Sequence, residues 1–212
     1  MSRLGVVVPV KGRDYKTRLA GVLEAGERAV LSRLLLADLL RTLTRAGLIG
    51  RTFVVSSSEG MLGLAKRSGA RTVREGKDSG VNAAVKLAVR SVKGFDEFMI
   101  LPADLPLLTP ADIMKAFSLR GAGMDVVLSP SASFNGTNLL VIPRSSGLRL
   151  SYDRDSFWNH LRSAAEKGLR VGVYTSRGVL LDVDTESDAK EAARVGRRAK
   201  SVSFLRRRLA AG

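Results

Sequence analysis

The feature that most constrains this chain is a regular alternation of short, β-branched apolar runs with longer stretches of helical periodicity. Gly5-Val-Val-Val-Pro-Val10 is apolar at every position, the pattern of a strand buried on both faces. From Glu27 to Ala46, Leu31, Leu35 and Leu39 recur every fourth residue, and Gly47 follows as a helix stop. The same reading predicts strands at 52–55, 69–73, 98–101, 126–129, 138–142, 171–174 and 179–183. It predicts further helices at 61–68, 81–92, 111–119, 156–167 and 186–195. Repeated β-α-β units imply an α/β fold with a mostly parallel sheet sandwiched by helices. No internal repeat or low-complexity linker divides the sequence, so one domain over residues 1–212 is expected.

Composition narrows the chemistry. The chain has no cysteine and one histidine, which leaves thiolate metal sites out and gives triads and zinc little support. No apolar run approaches the roughly 20 residues that span a bilayer, and no secretory leader is evident, so a cytoplasmic protein is expected. Lys and Arg outnumber Asp and Glu by 35 to 20, a net charge of +15. Such an excess attracts phosphate-rich small molecules or nucleic acid. Aromatic residues are only 5% of the chain, a poor supply of base-stacking platforms, which disfavours nucleic acid. Much of the surplus lies in a basic extension over about 196–212, read as a solvated helix face or frayed tail.

In open sheets of this kind, ligands lie beyond the carboxyl ends of the strands. The loop after the first strand, 9–18, carries Lys11, Arg13, Lys16 and Arg18, with Gly12 allowing close backbone approach. Cations and free N–H groups there suit a triphosphate, although the P-loop spacing is absent. A surface loop with scattered charge would look similar. A second candidate is Asp104, at the end of an apolar strand, ahead of a helix start built from Thr109, Pro110 and Asp112. It reads as a magnesium ligand or as a turn-forming residue. Asp182 and Asp184 come third. Two apart at the end of a predicted strand, they face one way and repel unless a cation lies between them. Thr185 and Asp188 just beyond are explained by helix capping alone.

Asn135-Gly-Thr-Asn138 offers Thr137 and Asn138 as neutral hydrogen-bonding groups, or forms a plain turn. Ser156 opens a helix after Tyr152-Asp-Arg-Asp155, as an anion contact or simple N-cap. His160 reads as a partly exposed residue of that helix.

Taken together, these segments resemble the 2-phospho-L-lactate guanylyltransferase family, which makes an intermediate of the deazaflavin coenzyme F-420. The likeness runs through Val8-Pro-Val-Lys11, Thr17-Arg-Leu19, Gly26-Glu-Arg28, Gly80-Val-Asn82, Ala103-Asp-Leu-Pro-Leu-Leu-Thr-Pro110, Gly136-Thr-Asn138, Asp155-Ser-Phe157 and Asp182-Val-Asp184. It implies a Rossmann-like, single-domain fold of the GT-A nucleotidyltransferase kind. It also implies GMP transfer from GTP to 2-phospho-L-lactate or phosphoenolpyruvate with release of pyrophosphate, Mg2+ as cofactor, and a homodimer. Carried over by position, Asp104, Asp182 and Asp184 are the expected metal ligands, and Lys11, Lys16 and Arg18 the triphosphate contacts. Gly80 and Asn82 are expected at the base, with Thr137, Asn138, Asp153 and Ser156 at the phospho-acid. Related sequences often carry Gly where this chain has Asp153. A metal-dependent nucleotide-sugar glycosyltransferase and a non-enzymatic RNA-binding module are the rival readings.

Overall fold

Val6 and Val8 turn to one face of the first strand and Val7 to the other, and all three are fully buried. A strand that is apolar at every position needs cover on both sides. In the computed structural model, which describes residues 3–12, 16–196 and 199–210, helices supply that cover. Helices α1 (Ala25–Arg45), α2 (Glu59–Arg67) and α4 (Pro110–Gly121) seat Leu36, Leu39, Leu40, Met61 and Ile113 on one face. Helices α3 (Val81–Ser91) and α5 (Ser156–Ala165) seat Ala84, Val85, Ala88 and Phe157 on the other.

The strands are β1 (Leu4–Pro9), β2 (Thr52–Ser56), β3 (Arg71–Arg74), β4 (Glu97–Ile100), β5 (Val126–Pro130), β6 (Thr137–Pro143) and β7 (Val171–Val173). They form one sheet ordered β3-β2-β1-β4-β6-β5-β7. All pairings are parallel except those of β6, which runs against both β4 and β5. Only residues 131–136 separate β5 from β6. That is too short for a parallel crossover, which takes about a dozen residues or more, so the pair closes as a hairpin. The chain leaves β1 toward β2 and β3, then returns to place β4 on the other side of β1. The carboxyl ends of β1 and β4 therefore flank a topological switch point.

The predicted helix signals act as expected at two places that matter for the site. Thr109 caps α4 and exchanges hydrogen bonds with Asp112, with Pro110 in the first turn. Thr185 and Asp188 do the same for α7 (Glu186–Val195).

Two expectations fail. Residues 179–183 are not a strand: a single helical turn, α6 (Arg177–Leu180), is followed by chain without regular structure. Val179 is buried against the sheet, while Leu181 and Val183 are buried among α1, α7 and α8 (Lys200–Leu209). Alternating burial in a fixed loop imitated a strand. Gly178 packs so tightly that a Cβ would lie 2.6 Å from Asp112 Oδ2 and 2.8 Å from the Leu107 carbonyl oxygen.

Nor is the basic C-terminal segment a frayed tail. Buried Asp38 of α1 accepts the N–H groups of Lys200 and Ser201 at 3.1 and 2.8 Å, and Val202, Phe204 and Leu205 enter the core. The solvated cationic face is there as well, in exposed Arg206, Arg207 and Arg208. Arg197 and Arg198, part of the basic run, lie outside the described residues. Among the described residues no helix is long and apolar enough to cross a membrane.

Candidate active site

Buried β4 delivers the chain to Leu101, and three residues later Asp104 stands at the rim. The Asp104 carbonyl oxygen accepts the Val183 N–H at 3.0 Å. That one backbone bond brings two stretches nearly 80 positions apart in sequence side by side, with Asp182 and Asp184 flanking the contact. From the β1–α1 loop comes Lys16, whose backbone is left-handed at φ 48, ψ 46. Its ammonium lies 2.6 Å from Asp104 Oδ2 and 2.7 Å from Asp184 Oδ1, with the side chain only 12% exposed. Arg18 Nη1 approaches Asp184 Oδ2 at 3.9 Å from solvent, and Lys11 is exposed on the same loop.

The electrostatics show what this cluster lacks. Burial alone would lower the Lys16 pKa, but the two carboxylates outweigh it and hold the ammonium well above its ordinary range. Burial would raise Asp184, yet Lys16, Arg18 and Lys11 bring it below the usual carboxylate value. Asp182 is different. Burial, with the charge of Asp104 adding to it, pushes its carboxyl up to about 6, although Asn138 donates to it at 3.0 Å. Asp104 Oδ1 is buried and has no hydrogen-bond partner among the described residues. Lys16 thus serves Asp104 and Asp184, with Arg18 at the edge of Asp184, whereas among the described residues no cation stands against Asp182.

These groups border a cleft of about 480 Å³, within the ordinary size range of small-molecule sites. Lys11, Lys16, Arg18 and Asp104 line one part of it with Asp184, and Gly80 lines another. Arg13 lies outside the described residues. Gly12 is held against the β2–α2 turn, where a side chain would collide with Ser57 Oγ. Its small size serves that contact as well as any ligand.

The family described as Guanylyl transferase CofC like matches residues 4–210. The chain belongs to this family. A phosphoenolpyruvate guanylyltransferase of Rubrobacter xylanophilus is 37% identical over 185 residues, covering 86% of this chain and 89% of that protein. A 2-phospho-L-lactate guanylyltransferase of Methanothermobacter thermautotrophicus is 32% identical over 203 residues, covering 95% and 89%. Among solved structures, a nucleotidyl transferase from Methanothermobacter superposes with a TM-score of 0.66 at 17% identity, over 97% of this chain and 99% of the other. At that identity the likeness establishes the fold alone, that of the nucleotidyltransferases.

Of the residues expected at the phospho-acid, Thr137, Asn138 and Ser156 lie behind the cleft and Asp153 is exposed; none of the four lines it. Thr137, Asn138 and Ser156 are buried. Asn138 Nδ2 donates to the carbonyls of Val179 and Leu180 and to Asp182, so it positions the 179–182 segment. Thr137 Oγ1 accepts from Ser156 Oγ at 3.2 Å and faces His160 Nδ1 at 2.9 Å. The Ser151 N–H donates to His160 Nε2 at 3.0 Å, so the ring proton belongs on Nδ1, which donates to Thr137. His160 is therefore a fully buried core residue and not a partly exposed one. Burial lowers its pKa to about 4 and keeps it neutral.

The N-cap position of α5 is held by Asp155, in the left-handed region at φ 53 and without a side-chain capping bond, and not by Ser156, which sits one position inside. Asp153 accepts from Asn82 Nδ2 at 3.0 Å, and Asn82 Oδ1 accepts the Tyr152 N–H at 2.8 Å. Asn82 and Asp153 thus tie the start of α3 to the loop before α5.

The cleft also uses residues that the sequence reading passed over. Glu75 and Asp78 line it from the β3–α3 turn, Ser32 and Leu35 from α1, and Tyr152 from the loop before α5. The hydroxyl of Tyr152 is buried and has no partner among the described residues. A signal existed for the acidic pair, since Glu75-Gly-Lys-Asp78 follows the carboxyl end of a predicted strand.

Proposed function

We propose that this chain transfers GMP from GTP to 2-phospho-L-lactate or phosphoenolpyruvate, releasing pyrophosphate, as a step in coenzyme F-420 biosynthesis. The observation that carries the reading is Lys16 held between Asp104 and Asp184 at the switch-point cleft, in a chain of the guanylyltransferase family. A phosphate acceptor is already anionic at neutral pH, so attack at the α-phosphorus needs no general base. That agrees with a cleft whose neighbouring histidine is buried, neutral and fully engaged.

The work left to the protein is alignment and charge neutralisation. Lys11, Lys16 and Arg18 receive the triphosphate. The hydroxyls of Thr137 and Ser156 and the 153–156 loop support the phospho-acid side, and Gly80 with Asn82 shapes the base side. Asp104, Asp182 and Asp184 suit Mg2+ in kind: all offer hard oxygens, and among the described residues Asp104 Oδ1 has no hydrogen-bond partner and Asp182 no compensating cation. Among the described residues no group of three such side chains stands ready as a cage, because Lys16 fills the space between two of them. Bound there, Mg2+ would neutralise phosphate charge and favour departure of pyrophosphate. A homodimer is the proposed assembly, with exposed Phe134 and Trp158 flanking Phe157 as the apolar surface to cover.

The test is pyrophosphate release across the four NTPs with 2-phospho-L-lactate, phosphoenolpyruvate and 3-phosphoglycerate as acceptors. GTP with one of the first two is expected to react fastest. Release that ignores the acceptor, or a preference for another NTP, would overturn the reading. The mass in solution checks the dimer.

A further inference from the structure

Two carboxylates of the cleft have no place in the phosphate machinery. Glu75 and Asp78 lie on the turn after β3, the edge strand, whereas Asp104 follows β4. Three strand spacings, about 14 Å across the sheet, separate the ends of β3 and β4, although Asp78 itself leans back toward the loop after β1. That span is a nucleotide's reach from its phosphates to the outer edge of its base. Between the two ends α3 offers Val81 and Ala84 as an apolar wall, and at Gly80, φ 84, nothing lies within 4 Å of where a Cβ would be. A flat ring can lie there.

The two acids are not equivalent. Asp78 is committed, with Oδ2 accepting the Gly12 N–H at 3.2 Å and Oδ1 the Gly80 N–H at 3.4 Å. Glu75 is fixed by its backbone, whose N–H donates to the Ser56 carbonyl at 3.2 Å, and the residue is 7% exposed. Among the described residues no Lys or Arg pairs with it. Burial and the neighbouring Asp78 raise its pKa, only partly offset by the Ser79 N–H. The Ser79 N–H already reaches this carboxylate, and its remaining lone pairs are open to paired N–H donors from a ligand.

Resting on the guanylyl-transfer reading, we infer that Glu75 is the base-selecting residue, its carboxylate receiving N1–H and the 2-amino group of guanine. Adenine presents an acceptor at N1 and cytosine one at N3. Uracil has a single N–H between two carbonyls. Only guanine offers two adjacent donors to two carboxylate oxygens.

The test measures kcat and KM for GTP, ITP, XTP and ATP in the wild-type protein and in Glu75→Gln, with melting curves for both. A glutamine keeps one acceptor for N1–H and turns the other atom into a donor, which matches the 2-oxo group of xanthine. Wild type should use ITP roughly 10- to 100-fold less efficiently than GTP, through KM. Glu75→Gln should lose GTP by a similar factor and prefer XTP. If it still prefers GTP, or if all four nucleotides weaken in parallel, Glu75 is a structural residue and the inference fails. If Glu75→Gln does not fold, equal use of GTP and ITP by wild type overturns the inference by itself. A wild-type preference for ATP here, or for CTP or UTP in the pyrophosphate assay across the four NTPs, would instead sink the guanylyl reading on which this rests.

Discussion

Two neighbouring regions hold their polar groups in opposite ways. At the cleft, the ionisable groups of Asp104, Asp182, Asp184 and Lys16 are unevenly matched, and one carboxylate oxygen has no partner among the described residues. Behind it, Thr137, Ser156 and His160 are neutral, buried and bonded to one another. On the proposed function, the cleft keeps charge open for a polyanion and its counter-ion, while the wall behind it satisfies its own polar groups. Function and scaffold are thus told apart by what remains unpaired. Residue type alone would not separate them.

Substitutions that remove charge should hurt turnover far more than stability, and those in the neutral network should do the reverse. The largest effect is expected for Asp104→Asn, which keeps shape but removes charge. Pyrophosphate release should fall by roughly 1,000-fold or more with the melting temperature nearly unchanged. Turnover close to wild type would overturn the proposed role of Asp104.

Lys16→Met should come next. It should lower kcat/KM by roughly 100-fold, and without Mg2+ it should also destabilise, since two carboxylates are left facing each other. Adding Mg2+ should restore part of that loss in a thermal melt.

The neutral network should answer to pH. The folded pKa of His160, about 4, lies below the unfolded value near 6.5, so its contribution is complete above pH 6.5 and is lost as pH falls toward 4. Between pH 7 and pH 5 that amounts to about 2 kcal/mol in denaturant titrations. His160→Gln should flatten this part of the profile.

The smallest effect, and the sharpest divider, is Thr137→Val. A role at the acceptor predicts a KM for the phospho-acid raised by roughly tenfold with the GTP KM unchanged. A scaffold role predicts about 1 kcal/mol of lost stability with both KM values intact.

The division also explains what was legible in the sequence. Strands apolar at every position announced themselves, and so did the capped helix starts at Thr109 and Thr185, because these signals are local. Asp104 could be singled out because a strand end and a helix cap bracket it. Sequence gave no hint that a backbone bond from Val183 to Asp104 would join the two acidic segments without a strand. Burial at 179, 181 and 183 comes from three packed helices and the sheet, a tertiary cause that mimics period two. His160 was misjudged because its partners, Ser151 and Thr137, come from elsewhere in the chain. The reversal of β6 was not read from the sequence, although the short stretch between the predicted strands at 126–129 and 138–142 leaves no room for a crossover helix.

The central claim is that Asp104 and the 182–184 segment form one cation-requiring centre. Titrating Mn2+ against the protein in the presence of GTP, followed by electron paramagnetic resonance, tests it most directly. Wild type should bind the ion in a GTP-dependent manner, and Asp104→Asn and Asp184→Asn should each weaken that binding by at least roughly tenfold. Binding that is unchanged in both variants would contradict the account.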